Sequence, residues 1–196
     1  VKSDLILGVN PMLYPFIEGS SDSEIFFYLA ITFGLEKDPL TAMARTVGFI
    51  ERVGREKDIE NPIQMTVAIT DGKTLWAFRH SSEGKSRTLF YSNDKAELME
   101  EDPDDELFAR ICLGSRMIVS EPIGDQPELW TEVPESSCVV VEEGGKLRIF
   151  PFKPILVGNK LKITLATTCA AVDSMRPSPR TISHTSFRKT HLSRSL

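Results

Sequence analysis

The hydrophobic period of this chain changes once, at Pro62, and the change constrains the fold more than any other feature. Before it, apolar residues recur at helical spacing. After it, they alternate or form short runs bounded by glycine, proline and acidic turn residues. Leu40, Met43, Ala44, Val47 and Ile50 fall on one helical face and read as core. Asp38-Pro39, just ahead of them, is a start signal: a capping residue, then a proline at the first helical position, where the missing N–H costs nothing. An earlier start lies in Gly19-Ser20-Ser21-Asp22-Ser23-Glu24. Ser21 and Glu24 have capping-box spacing, in which hydroxyl and carboxylate satisfy each other's backbone donors. Ile25, Phe26, Phe27, Leu29, Ala30, Ile31 and Phe33 follow directly. The pattern predicts helices over Lys2 to Gly8, over Asp22 to about Phe33 and onward from Pro39, with a turn across Pro11 to Pro15.

Beyond Pro62, Gln64 to Thr70 and Lys73 to Arg79 flank Asp71-Gly72, a strong signal for a tight hairpin. Thr88 to Tyr91, Met117 to Ser120 and Ser137 to Glu142 are further predicted strands. Glu143-Gly144-Gly145-Lys146 should turn the last of these into Leu147 to Phe150. Ser120-Glu121-Pro122 reads as a strand terminus, since proline ends pairing. Helices followed by several antiparallel strands make an α+β layered domain.

With 196 residues and 41% apolar content, the chain can bury one ordinary core. It has no apolar run of the roughly 18–20 residues needed to cross a bilayer and no secretory leader, so a cytoplasmic, soluble protein is expected. Three unevenly spaced cysteines, Cys112, Cys138 and Cys169, form neither a metal-ligand pattern nor an even disulfide framework. Cys138, within Cys138 to Val141, should be packed. The net charge of -5 hides an asymmetry: residues 1–150 carry 15 Lys and Arg against 27 Asp and Glu, and residues 151–196 carry 8 against 1. An acidic body argues against a nucleic-acid surface. Glu97 to Glu106 reads as a solvated face, because it lacks the glycine turn of a calcium loop. Residues 155–196 form a basic tail, Ser-, Thr- and Arg-rich from about residue 170. It is expected either to be disordered or to arise from read-through or a shifted frame.

Few residues suggest chemistry on their own. Asp22 sits in a first helical turn, where the dipole favours a carboxylate. It either stabilises the helix or binds a cation. Gly84-Lys85-Ser86 fails as a phosphate loop because Arg79 stands where the first glycine is required. His80, near Ser81, Ser82 and Asp71 in sequence, lacks a nucleophile elbow, so a Ser-His-Asp triad is not expected. Arg79 and Arg87 are better used in structural ion pairs than on an anion. Trp130 and Pro134 should pack the sheet face or brace a pocket. Nothing calls for a metal or an organic cofactor.

Several separated segments, in one order, carry a family likeness. The run from Leu5 through Leu13-Tyr14-Pro15-Phe16-Ile17-Glu18 into residues 19–24, RHSSEGKSRTLFYS from Arg79 to Ser92, SEP at Ser120 to Pro122 and WTEVPESS from Trp130 to Ser137 resemble the class II glutamine amidotransferases. These are N-terminal nucleophile hydrolases, and the likeness covers about residues 1–154. It implies part of a four-layer αββα sandwich lacking its N-terminal strands, completed by a missing N-terminal half or a partner chain. It also implies hydrolysis of the amide of glutamine, or of a γ-glutamyl compound, by an N-terminal cysteine whose own α-amine is the base. This sequence begins at Val1, and the family's early arginine and Asn-Gly pair have no counterpart in it. The likeness therefore starts partway through the domain, closest to stand-alone members. Of the family's site residues only the aspartate that holds the substrate's α-ammonium carries over, onto Asp22. The alternative expectation is a catalytically silent binding module built on the same fold.

Overall fold

A computed structural model describes residues 2–93, 115–123 and 127–158. Three helices come first: α1 (Lys2–Leu7), α2 (Asp22–Thr32) and α3 (Pro39–Glu56), with a 3-10 turn (Pro11–Phe16) between α1 and α2. The strands are β1 (Gln64–Thr70), β2 (Leu75–Ser81), β3 (Phe90–Ser92), β4 (Ile118–Val119), β5 (Trp130–Glu132), β6 (Ser137–Val141) and β7 (Leu147–Pro151). All strand pairs are antiparallel, in a four-stranded sheet of order β1-β2-β6-β7 and a three-stranded sheet of order β4-β3-β5.

Helix starts follow the local chemistry read from the sequence. The Asp38 carboxylate accepts from Thr41 N at 3.1 Å, and the Ser21 hydroxyl accepts from Glu24 N at 3.3 Å. Each such cap contributes about 1 kcal/mol. The turn at Pro11 is a capped 3-10 helix, with Asn10 Oδ1 accepting from Met12 N at 3.1 Å. The first hairpin is longer than expected: β2 starts at Leu75 rather than Lys73, because Asp71 closes a four-residue loop. Its carboxylate takes Lys73 N and Thr74 N at 2.9 and 2.8 Å, and Gly72 supplies a φ of +90°. Glu97 to Glu106, Cys112, Cys169 and the tail beyond residue 158 lie outside the described residues.

The period-two pleat sorts the large sheet into two faces. Val67, Phe78, Cys138 and Phe150 are register partners across all four strands. They face a core built by Leu5, Leu13, Ile25, Leu29, Met43, Val47 and Ile50 of the helical layer. One residue over, Ala77, Val139 and Val141 face the small sheet and pack with Leu89, Ile118 and Val133. The described residues thus form three layers, helices on a sheet on a sheet, in an α+β fold. The outer face of the small sheet carries a further cluster, Leu129 and Trp130 with Phe90, Met117 and Val119.

Two placements differ from expectation. Trp130–Glu132 is a strand, which the pattern did not reveal, and Pro134 is exposed rather than packed. Trp130 itself is core, with its indole N–H donating to Ile123 O at 3.1 Å. After β7 the chain crosses α3: Phe152 is buried, Ile155 N donates to Ala44 O at 2.9 Å, and Val157 packs against the main core. Among the described residues no helix is long and apolar enough to cross a membrane.

Candidate functional site

The segment before α2 is tied back to the helix at several points. The Glu24 carboxylate accepts from Glu18 N at 2.9 Å through one oxygen and from Gly19 N at 2.8 Å through the other. This departs from the simple capping box, in which the carboxylate would return to the cap residue's own N–H. Here it reaches past Ser21 and gathers two amides of the approaching chain. A side chain at position 19 would put its Cβ 2.6 Å from Glu24 Oε2, so it would displace the carboxylate from this close approach. One turn along α2, the Tyr28 hydroxyl donates to Phe16 O at 2.6 Å. The Tyr28 phenol is raised above its ordinary value, first by burial and then by the charges of Glu24 and Glu18. Lys2 Nζ also donates to Ser20 O.

Asp22 is the first residue of α2 and is exposed. Its carboxylate makes no hydrogen bond or ion pair among the described residues. A carboxylate at the positive end of a helix, carried on a backbone fixed on both sides, is suited to a charge-assisted hydrogen bond with an ammonium group. The roles of Glu24 and Tyr28 in fixing that backbone were not foreseen. The Ser21-to-Glu24 spacing was the available signal, and it pointed to the right residue with the wrong acceptor geometry.

The motif from Arg79 to Ser92 folds into a second polar cluster, at the far end of β2. The Arg79 guanidinium bonds Glu132 Oε1 at 2.6 Å, Val133 O at 2.5 Å and Ser86 Oγ at 3.0 Å. The expected structural ion pair is therefore present at Arg79. Glu135 accepts from Ser81 N at 3.0 Å and from Ser86 N at 2.8 Å, and also takes the Ser86 hydroxyl. The Gly84-Lys85-Ser86 turn thus wraps around an internal carboxylate, in place of the phosphate that its sequence superficially suggests. Burial pushes the Glu135 carboxyl up. The Ser86 and Ser81 hydrogen bonds and the Arg79 charge outweigh this, leaving it below its ordinary value.

A carboxyl lowered on folding adds stability above its unfolded pKa, and the gain fades as pH falls through the folded one. As pH falls below the ordinary glutamate range the protein should lose melting temperature, and Glu135→Gln should flatten that loss. Parallel melting curves for the two proteins would show that the clamp does not contribute.

His80 lies on the helix-facing side, with Nδ1 3.0 Å from Ser136 Oγ and Nε2 3.5 Å from Glu51 Oε1. Asp71 sits in the turn at the opposite end of β2, so the Ser-His-Asp set named from the sequence is not assembled. Glu51 also accepts from the Ser82 hydroxyl at 3.2 Å, and Phe152 stacks edge-on to His80 at 5.3 Å. The group closes the seam between α3 and the sheet end. Cys138 is fully buried, and burial pushes its thiol up to about 12. It is no nucleophile at neutral pH. Among the described residues no group of three His, Cys, Asp or Glu is placed to hold a metal ion.

This architecture recurs in a solved structure, a glutamine aminotransferase class-II domain protein from Silicibacter pomeroyi. The two align with a TM-score of 0.64 and 25% identity, over 79% of this chain and 61% of the other. The chain therefore has a class II glutamine amidotransferase-like fold and spans less than two thirds of that protein's length. No protein-family model matches the chain, and no curated protein sequence does.

Proposed function

We propose that the chain carries the carboxy-terminal part of a class II glutaminase domain of the stand-alone type, and that Asp22 holds the α-ammonium of its substrate. Residues 1–154 would belong to that domain, and an N-terminal segment or a partner chain would complete its core. The reaction would be hydrolysis of the side-chain amide of glutamine, or of a γ-glutamyl compound, by an N-terminal cysteine that this sequence does not contain. The observation that carries the reading is Asp22: a solvent-facing carboxylate at a helix start, on a tethered backbone, within a fold similar to a class II domain. An aspartate there selects a free amino acid, or a γ-linked one, over a residue inside a peptide, because only the former offers an ammonium.

The alternative is a catalytically silent module on the same fold, which would bind such ligands without cleaving them; the buried Cys138 does not decide between the two, because the first reading places the nucleophile on another cysteine. One experiment tests the role given to Asp22. By calorimetry, L-glutamine should bind the wild-type chain, and Asp22→Ala should weaken binding by about tenfold or more, the loss of one charge-assisted hydrogen bond. Equal affinity in the two proteins would remove Asp22 from the site.

A further inference from the structure

We infer that Glu24 is a positioning residue for ligand recognition by Asp22. The inference rests on the reading of Asp22 above and deepens it. Between Phe16 and Asp22 the chain has no regular secondary structure of its own, and its direction is set by what it bonds to. Glu24 supplies two of those bonds through separate oxygens, to Glu18 N and Gly19 N. Its own N–H donates to Ser21 Oγ, so one residue ties the three positions Glu18, Gly19 and Ser21 of the chain leading into Asp22. Gly19 lets the carboxylate come close, since a Cβ there would stand 2.6 Å from Glu24 Oε2.

This arrangement separates two jobs that adjacent carboxylates would otherwise share. Glu24 spends both oxygens on backbone donors, and Asp22 is left with its acceptors turned to solution. A carboxylate that saturates two amides is also a weaker competitor for an incoming ammonium. The ligand's cation should therefore go to Asp22 rather than to its neighbour. Without the Glu24 bonds, the loop gains alternatives and the fraction of molecules presenting Asp22 correctly falls. Apparent affinity falls by that same fraction.

The test compares L-glutamine with N-α-acetyl-L-glutamine, which lacks the ammonium, on wild type, Asp22→Ala, Glu24→Ala and Glu24→Gln. Wild type should prefer L-glutamine. Glu24→Ala should lose about tenfold of that preference. Glu24→Gln keeps one carbonyl oxygen, should hold one amide and should fall between them. Affinity for the acetylated ligand should stay level, which a general loosening of the protein would not produce. Amide hydrogen exchange should quicken at both Glu18 and Gly19 in Glu24→Ala and at one of the two in Glu24→Gln, and this reads the tether even if Glu24→Ala frays the helix start.

If the Glu24 variants keep the wild-type preference while Asp22→Ala loses it, the positioning role is wrong and the Asp22 reading stands. If wild type shows no preference, the Asp22 reading fails and this inference fails with it. Unchanged exchange at residues 18 and 19 would also overturn the inference.

Discussion

Replacing Gly48 by alanine is expected to lower the melting temperature, against the usual direction for such a change within a helix. Gly48 lies inside α3, and a Cβ there would stand 2.0 Å from the carbonyl oxygen of Ile155 and 2.6 Å from its carbon. Both are backbone atoms of the segment that crosses the helix after β7. That segment is fixed nearby by the bond from Ile155 N to Ala44 O, so it cannot rotate away as a flexible side chain could. Overpacking against backbone costs about 3 kcal/mol. The gain in helix propensity from Gly to Ala offsets about 1 kcal/mol. The net of about 2 kcal/mol should lower the melting temperature by about 4–8 °C. The sign is the test: without the crossing segment, only the propensity gain would remain and the variant would melt higher. A raised melting temperature would show that residues 152–157 do not lie on α3.

Phe78→Ala should be costlier still. Phe78 is fully buried in the middle of β2, between Val67 and Cys138 in the sheet row facing the helices, with the Phe152 ring edge-on at 5.4 Å. It therefore joins three things: the central strand, the helical layer and the segment after β7. Truncation leaves a cavity among side chains held on separate elements, and such cavities collapse poorly. The expected loss is about 3–5 kcal/mol, a large part of the roughly 5–15 kcal/mol that holds a domain together. In urea the midpoint should fall with little change in slope, the signature of lost stability without a changed unfolding reaction. A loss under about 1 kcal/mol would contradict the layer order, since only a surface position tolerates that change.

What could be read from the sequence was what local chemistry fixes. Ser21 and Asp38 announce their helices because a cap acts within three residues. Val67, Phe78, Cys138 and Phe150 were legible as strand residues, because they lie in short alternating or continuous apolar stretches bounded by turn residues. Trp130–Glu132 was missed: three residues, with Pro127 and Pro134 close on either side, are too few to display a period. The Arg79–Glu132 pair spans 53 positions and the His80–Ser136 pair 56, and no local pattern couples residues so distant. The hairpin at Asp71 was placed correctly but cut too short, because the Asx bonds to Lys73 and Thr74 lengthen the loop beyond its Asp-Gly signal. For Gly48 the constraint lies in a segment about a hundred residues later, so the glycine gave no sign of its purpose. Asp22 was legible as a first-turn carboxylate. Its proposed ligand came from the family resemblance, because helix geometry favours a cation there without specifying which.

A crystal structure grown with saturating L-glutamine reads directly where an amino-acid ligand meets this chain. The α-ammonium nitrogen should lie within about 3.2 Å of an Asp22 carboxylate oxygen, with the Glu24 carboxylate still on Glu18 N and Gly19 N. Glutamine ordered elsewhere on the molecule, or an Asp22 left with no ligand under those conditions, would contradict the Asp22 reading.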